Sequence, residues 1–210
     1  MQEFHVLTIG HFSRNRFWGE SDTEAYRDAL CTCTLIKGEN NIVVDPSETP
    51  EQMARTLYNR SGLRPEAVNT VFLTHAHGDH FAGLECFENA EWIMSGADLA
   101  LMRRSADERE RRLATRIAEA KPGFSEGIAL VELPGHTMGT TGLLLETQDG
   151  KVCVCGDSIM TRDFFKARLG YYNSVDFTLS SASIQKVAQL ADIVVPGHDN
   201  YFLTHRGTEK

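Results

Sequence analysis

One seven-residue stretch constrains this chain more than any other feature: Thr74-His75-Ala76-His77-Gly78-Asp79-His80, placed where the short apolar run Thr70 to Leu73 gives out. Three imidazoles and a carboxylate within six residues are a metal site on chemical grounds. Neutral imidazole suits zinc, iron, nickel and copper, and the carboxylate compensates charge. With 8 His and 12 Asp in 210 residues, His-x-His-x-Asp-His arises by chance in roughly 6 × 10⁻⁴ of such sequences. A solvated polar loop is therefore a poor account of it.

Three more residues stand in the same local setting, each in a loop directly after an expected strand. They are His136 in Leu133-Pro134-Gly135-His136, Asp157 in Cys155-Gly156-Asp157-Ser158, and His198 in Val195-Pro196-Gly197-His198. Strand-end loops are where a rigid sheet aims ligands into one cleft, and the Gly before each lets the backbone turn sharply. Each alone reads as a turn residue; together with the first cluster they read as ligands.

Hydrophobic periodicity places these loops. Val6 to Ile9 reads as a strand, and Leu30 to Ile36 and Asn41 to Val44 read as a hairpin about Gly38-Glu39-Asn40. Pro50 opens a helix of three turns that Gly62 ends. Ala129 to Leu133, Gly142 to Glu146 and Lys151 to Cys155 read as strands, the last two joined by Gln148-Asp149-Gly150. A helix over Ser181 to Leu190 and a strand over Asp192 to Val195 follow. Two runs of strands, each followed by a helix, imply two sheets packed face to face with helices outside, an α/β layered fold. No repeat or linker divides the chain, so residues 1–210 are expected to form a single domain.

In this order and spacing the chain resembles the metallo-β-lactamase superfamily of metal-dependent hydrolases, over about Leu30 to His198. The resemblance implies a four-layer αββα sandwich with metals at one edge. Carried over by position, His75, His77 and His136 would hold one metal, Asp79, His80 and His198 a second, and Asp157 would bridge both. Asp45 resembles a residue that supports the ligands from below, although Pro46-Ser47 departs from the Thr-Gly common after it. Two divalent metal ions roughly 3.5 to 4 Å apart can acidify a bridging water and polarise a carbonyl. Asp79 is the candidate catalytic residue, orienting that water and shuttling its proton. Zinc is the default metal, with iron or manganese compatible.

The implied reaction is hydrolysis of an ester, thioester, lactone or lactam. Phosphodiester cleavage is disfavoured by the net charge of −8 and the lack of a basic run, and so is a nucleic-acid partner. A mononuclear-iron sulfur dioxygenase and a di-iron flavoprotein are further alternatives, the latter needing a flavin domain for which there is no room. A small-molecule substrate is expected, with a homodimer left open. No apolar stretch approaches the roughly 20 residues of a membrane span, and the first ten residues lack a secretory pattern, so the cytoplasm is the expected compartment.

Other features carry weaker expectations. Cys31 and Cys33, and Cys153 and Cys155, stand two apart and are expected to point to opposite strand faces, unbridged, with Cys86 as the fifth thiol. His5, His11 and His205 fall outside the constellation. Phe12, Phe17, Trp18, Tyr171 and Tyr172 are divided between core packing and a substrate wall. The charged segment Ala97 to Ala120, with the sparse apolar residues Leu99, Met102, Leu113 and Ile117, is expected to form an exposed helix, or two with a break, and a variable wall of the cleft that sets substrate size or oligomeric contacts. The arginines at 103, 104, 109, 111 and 112 are expected on a solvated helix face.

Overall fold

The computed structural model describes residues 2–204; His205 lies outside them. The first sheet has six strands in sequential spatial order: β1 (Glu3–Thr8), β2 (Cys33–Lys37), β3 (Ile42–Val44), β4 (Thr70–Leu73), β5 (Glu91–Met94) and β6 (Ala118–Glu119). The strands β1 to β3 pair antiparallel and β3 to β6 pair parallel. The second sheet joins β7 (Ile128–Glu132), β8 (Thr141–Thr147), β9 (Gly150–Gly156), β10 (Ile193–Pro196) and β11 (Phe202–Leu203). Within it β7 pairs with β8 and β8 with β9 antiparallel, while β9 and β10 are parallel, so β7, β9 and β10 all end at the same edge.

Alternation along each strand divides the core into layers. Ile36, Ile42, Val44, Phe72 and Ile93 of the first sheet meet Leu143, Leu145, Val152, Val154 and Val195 of the second. The opposite side of the first sheet, with Leu35, Val43 and Val71, packs on Met53 and Leu57 of α1 (Pro50–Ser61). The opposite side of the second, with Val131, Cys153 and Val194, packs on Ile184 and Val187 of the last long helix, Phe177–Leu190. The result is the expected helix–sheet–sheet–helix sandwich. The helix α1 begins as its sequence implies, with the Thr49 hydroxyl accepting from Gln52 N–H, Pro50 in the first turn, and Gly62 closing it at φ 73°.

The segment 97–120 has the break that its sequence left open, and departs from expectation in its burial and its place. It forms α2 (Gly96–Met102), α3 (Glu108–Ala114) and β6, and Leu99, Met102, Leu113 and Ile117 are all buried in the core below the first sheet. Splitting the segment into two short helices lets each insert its apolar residues, so they never form one long stripe. Arg109 and Arg112 are held by Glu85, and Arg116 lies over the Trp92 ring. The segment contributes no side chain to the cleft at the ligand edge, so the wall assigned to it is corrected.

The cysteine reading also needs correction in its geometry. Residues i and i+2 of a strand share a face, and Cys153 and Cys155 both lie on the helix side of β9. They remain free thiols, Cys155 donating to the Cys153 carbonyl. Four elements were not expected: the strands β5, β6 and β11, and the short helix α4 (Arg162–Ala167) that follows Asp157. The last helix, α5, starts at Phe177 rather than Ser181 because Asp176 caps it, accepting from Leu179 N–H. Among the described residues no helix is long and apolar enough to cross a membrane.

Candidate metal centre

All seven expected ligand residues converge at the edge where β4, β7, β9 and β10 end. His75 and His77 leave β4 directly, and one 3₁₀ turn at Gly78–His80 carries Asp79 and His80 back toward the same point. The two sheets are tied together there by a hydrogen bond from Thr141 N–H to the Thr74 carbonyl, 3.0 Å. Gly135 and Gly156 have φ values of 133° and 51°, which is the sharp turn their positions require. At Gly197 the reason is space instead: a Cβ there would collide with Asp157 Oδ1.

The seven side chains form two groups about Asp157. In the first, His77 Nδ1 lies 3.0 Å from His75 Nε2 and 2.9 Å from His136 Nε2, and Asp157 Oδ2 lies 3.3 Å from His136 Nε2. In the second, Asp157 Oδ1 lies 3.2 Å from His80 Nε2 and 3.3 Å from His198 Nε2, and Asp79 Oδ2 lies 3.5 Å from His198 Nε2. Each carboxylate oxygen of Asp157 therefore faces a different set of ring nitrogens.

Hydrogen bonds behind the rings determine which nitrogens carry lone pairs. His198 Nδ1 faces the Leu30 carbonyl at 2.9 Å, which can only accept, so Nδ1 bears the proton and Nε2 is left for the site. The Thr74 hydroxyl donates to Asp45 Oδ2 at 2.7 Å, so it can only accept from His75 Nδ1 at 3.1 Å. His80 Nδ1 donates to the same Asp45 oxygen at 2.9 Å. Asp45 thus orients two imidazoles at once, as its position suggested. The departure at Pro46 does not disturb this, although Asp45 itself sits at φ 52°, a left-handed conformation that costs about 1 to 3 kcal/mol. Its three hydrogen bonds, including one from Thr74 N–H at 2.8 Å, hold it there.

Burial and charge follow the same division. Burial pushes the His75 and His136 imidazoles down, His136 to about 4, so both are neutral and able to ligate. Burial would also lower His80 and His198, but the Asp157 carboxylate, with Asp45 and Cys31 at His80, overrules it and raises both. Burial would raise Asp157, and the charges of His198, His80 and His136 hold it well below the usual carboxylate range instead.

A metal fits these residues. His80 Nε2 and Asp157 Oδ1 are buried without a hydrogen-bond partner, although they face one another across the second group. Three ring nitrogens crowd to about 3 Å in the first, two of them lone pairs by the hydrogen bonding above or by burial. A cation lying between such atoms would satisfy them all. The mixed imidazole and carboxylate donors are those of a divalent transition ion.

The cleft outside this cluster is small, about 140 Å³, and its walls come from Phe12, Arg14, Met160, Tyr171 and Tyr172. Phe12 and Tyr171 are both buried and both line the cleft, so the two readings of these residues hold together; Phe17 and Trp18 are exposed. His5 is half-buried in β1, and the exposed His11 contributes only its carbonyl, 3.2 Å from His198 Nδ1. Ser158 serves its turn, donating to the Cys155 carbonyl. Two supporting residues were missed by sequence reasoning. Thr74 precedes the motif unmarked, and Asp98, fully buried and accepting from Thr137 Oγ1 at 2.7 Å, looks like an ordinary acid in a helix's first turn.

A model of the metallo-beta-lactamase superfamily matches residues 26–198. An N-acyl homoserine lactonase from a Bacillus species is 26% identical over 190 residues, covering 86% of this chain and 74% of that one. The metallo-beta-lactamase domain-containing protein 1 of Xenopus laevis is 30% identical over 171 residues, covering 79% and 69%. Among solved structures, AidC, a dizinc quorum-quenching lactonase in complex with a product, N-hexanoyl-L-homoserine, superposes with a TM-score of 0.67 at 20% identity, covering 81% of this chain and 72% of that one.

Proposed function

The chain belongs to the metallo-β-lactamase superfamily, and on that premise we propose that it is a dinuclear metal-dependent hydrolase whose best-supported substrate is a lactone or a related carboxylic ester. The observation that carries the reading is the placement of Asp157, with one oxygen toward His136 and the other toward His80 and His198. In this assignment His75, His77 and His136 hold one ion, Asp79, His80 and His198 hold the other, and Asp157 bridges. Zinc is the proposed ion: the donor set needs no redox change, and AidC is a dizinc enzyme. Residues 1–210 are taken as one domain, a reading supported by the single layer of apolar side chains that both sheets share.

A bound divalent pair supplies Lewis acidity toward the substrate carbonyl and lowers the pKa of water. The protein's own groups do the rest. Asp45, Thr74 and the Leu30 carbonyl keep the ligating rings in the required tautomers. Two members of the ligand set are open to the cleft, the exposed His77 and Asp79, and Asp79 is the carboxylate of the pair, its side chain 30% exposed, so it can accept a proton from the attacking water and return it to the leaving alkoxide. Phe12, Met160 and Tyr171 give the cleft an apolar wall that limits bulk water on one side. A lactone is favoured over the thioester, lactam and phosphodiester alternatives because N-acyl homoserine lactonases recur among the relatives.

The test is chelation followed by reconstitution with zinc, manganese or ferrous iron. Each form is assayed against N-hexanoyl homoserine lactone, chromogenic esters and thioesters, and bis(p-nitrophenyl) phosphate. Metal-dependent lactone or ester turnover is the expected result. Turnover of the phosphodiester alone, or turnover indifferent to chelation, would overturn the proposal.

A further inference from the structure

We propose that Arg14 is a specificity-determining residue that selects substrates carrying a carboxylate near the scissile ester or lactone; this rests on the hydrolase reading above. Arg14 is the single Lys or Arg side chain among the described residues that line the cleft at the ligand cluster. Its guanidinium is tethered without being neutralised. Nη1 donates to the Asp22 carbonyl at 2.9 Å and Nε lies 3.4 Å from the Ser13 hydroxyl, while no described carboxylate lies within 4.0 Å of it. Its neighbours on the same loop differ in this respect: Arg16 pairs with Asp22 and Arg27 with Glu20.

The position of that charge is set by a ladder of rings rooted in the metal cluster. The Phe12 ring lies 5.7 Å from His198, Tyr171 meets Phe12 edge-on at 5.3 Å, Tyr172 lies 4.5 Å from Tyr171, and the guanidinium sits 5.7 Å over Tyr172. Phe12 and Tyr171 are buried, so the inner rungs are packed, and the exposed Tyr172 carries the guanidinium at the mouth of the cleft, where the bond to the Asp22 carbonyl tethers it. An arginine with spare donors, stacked on a tyrosine inside a catalytic cleft, is arranged for bidentate recognition of an oxyanion. The chain carries a net charge of −8, so attraction of an anionic substrate to this cleft has to come from local groups: the bound ions of the reading above, which draw any anion to the reacting carbonyl, and Arg14, the one Lys or Arg side chain lining the cleft away from them.

The experiment uses the zinc-loaded full chain and two isosteric γ-butyrolactones, one bearing a carboxylate and one the neutral carboxamide at the same ring carbon. The carboxylate should be preferred by about tenfold or more in kcat/KM, expressed in KM and diminished by salt. Arg14→Gln should remove most of that preference, and Arg14→Lys, which keeps the charge without the fork, should restore part of it. Equal turnover of the two lactones by the parent, or an equal fall for both in Arg14→Gln, would overturn the inference while leaving the hydrolase reading intact. If neither lactone is turned over, the hydrolase reading has failed for this class, and calorimetric titration with glutarate decides the role of Arg14 alone. Binding about tenfold weaker in Arg14→Gln supports it, and unchanged binding refutes it.

Discussion

Asp45→Asn isolates the support beneath the second group of proposed ligands. Asparagine has the same shape and is among the few residues that tolerate the left-handed backbone of Asp45 at φ 52°, so the substitution adds no strain. What changes is the hydrogen bonding. Asp45 accepts from Thr74 N–H at 2.8 Å, Thr74 Oγ1 at 2.7 Å and His80 Nδ1 at 2.9 Å. An amide has a single acceptor oxygen, and the backbone N–H is the donor that cannot move its proton, so the oxygen should stay with it. The new NH₂ then faces Thr74 Oγ1 and His80 Nδ1. His80 can meet it only by moving its proton to Nε2, the atom aimed at Asp157. Loss of one bond to a charged acceptor costs about 1.5 to 3 kcal/mol, which for a chain of this length lowers the melting temperature of the metal-free protein by about 3 to 12 °C. Affinity for the second ion should fall about 10- to 100-fold, or about 1.4 to 2.8 kcal/mol. Scanning calorimetry of the metal-free protein gives the first quantity, and competition with a chromophoric chelator gives the second. A variant that melts with the parent and holds two ions with unchanged affinity would refute the role given to Asp45.

Gly197→Ala changes no ligand, yet its methyl group would strike Asp157 Oδ1, so metal retained after dialysis and turnover should both fall about tenfold or more. Leu99→Ala opens a cavity in the core below the first sheet, where Leu99 is 3% exposed. Urea unfolding should show a loss of about 2 to 5 kcal/mol, with substrate preference unchanged; altered preference at constant stability would reinstate this segment as a cleft wall. Cys153→Ser and Cys155→Ser place hydroxyls among the apolar contacts of α5 and should cost about 1 to 3 kcal/mol without changing metal content, as paired melting and elemental assays would show.

The proposed ligand set was legible because its members occupy strand-end loops with strong local signals. A dense His and Asp cluster follows one apolar run, and three Gly-His or Gly-Asp pairs follow three others. The hairpins and α1 were legible for similar reasons, since turn and cap residues act over a few positions. What escaped were consequences of tertiary placement. The strand β5 opens on the exposed Glu91, and only Ser95 separates its last residue from the helix α2, so no turn signal sets its apolar residues apart from those of the helix. The segment 97–120 looked solvated because its charges outnumber its apolar residues, but pairing to Glu85 and stacking on Trp92 keep those charges at the rim while the apolar residues enter the core. Asp98 and Arg14 have ordinary local contexts, and their importance comes only from the groups that folding brings beside them.

The central claim is a pair of ions bridged by Asp157, and the most direct test is the number of ions bound per chain. Protein freed of metal, saturated with zinc and dialysed against metal-free buffer should retain two ions per chain by elemental analysis. Asp157→Ala should retain at most one and lose turnover with it. One ion per parent chain at saturation, or two ions and full turnover in Asp157→Ala, would contradict the account.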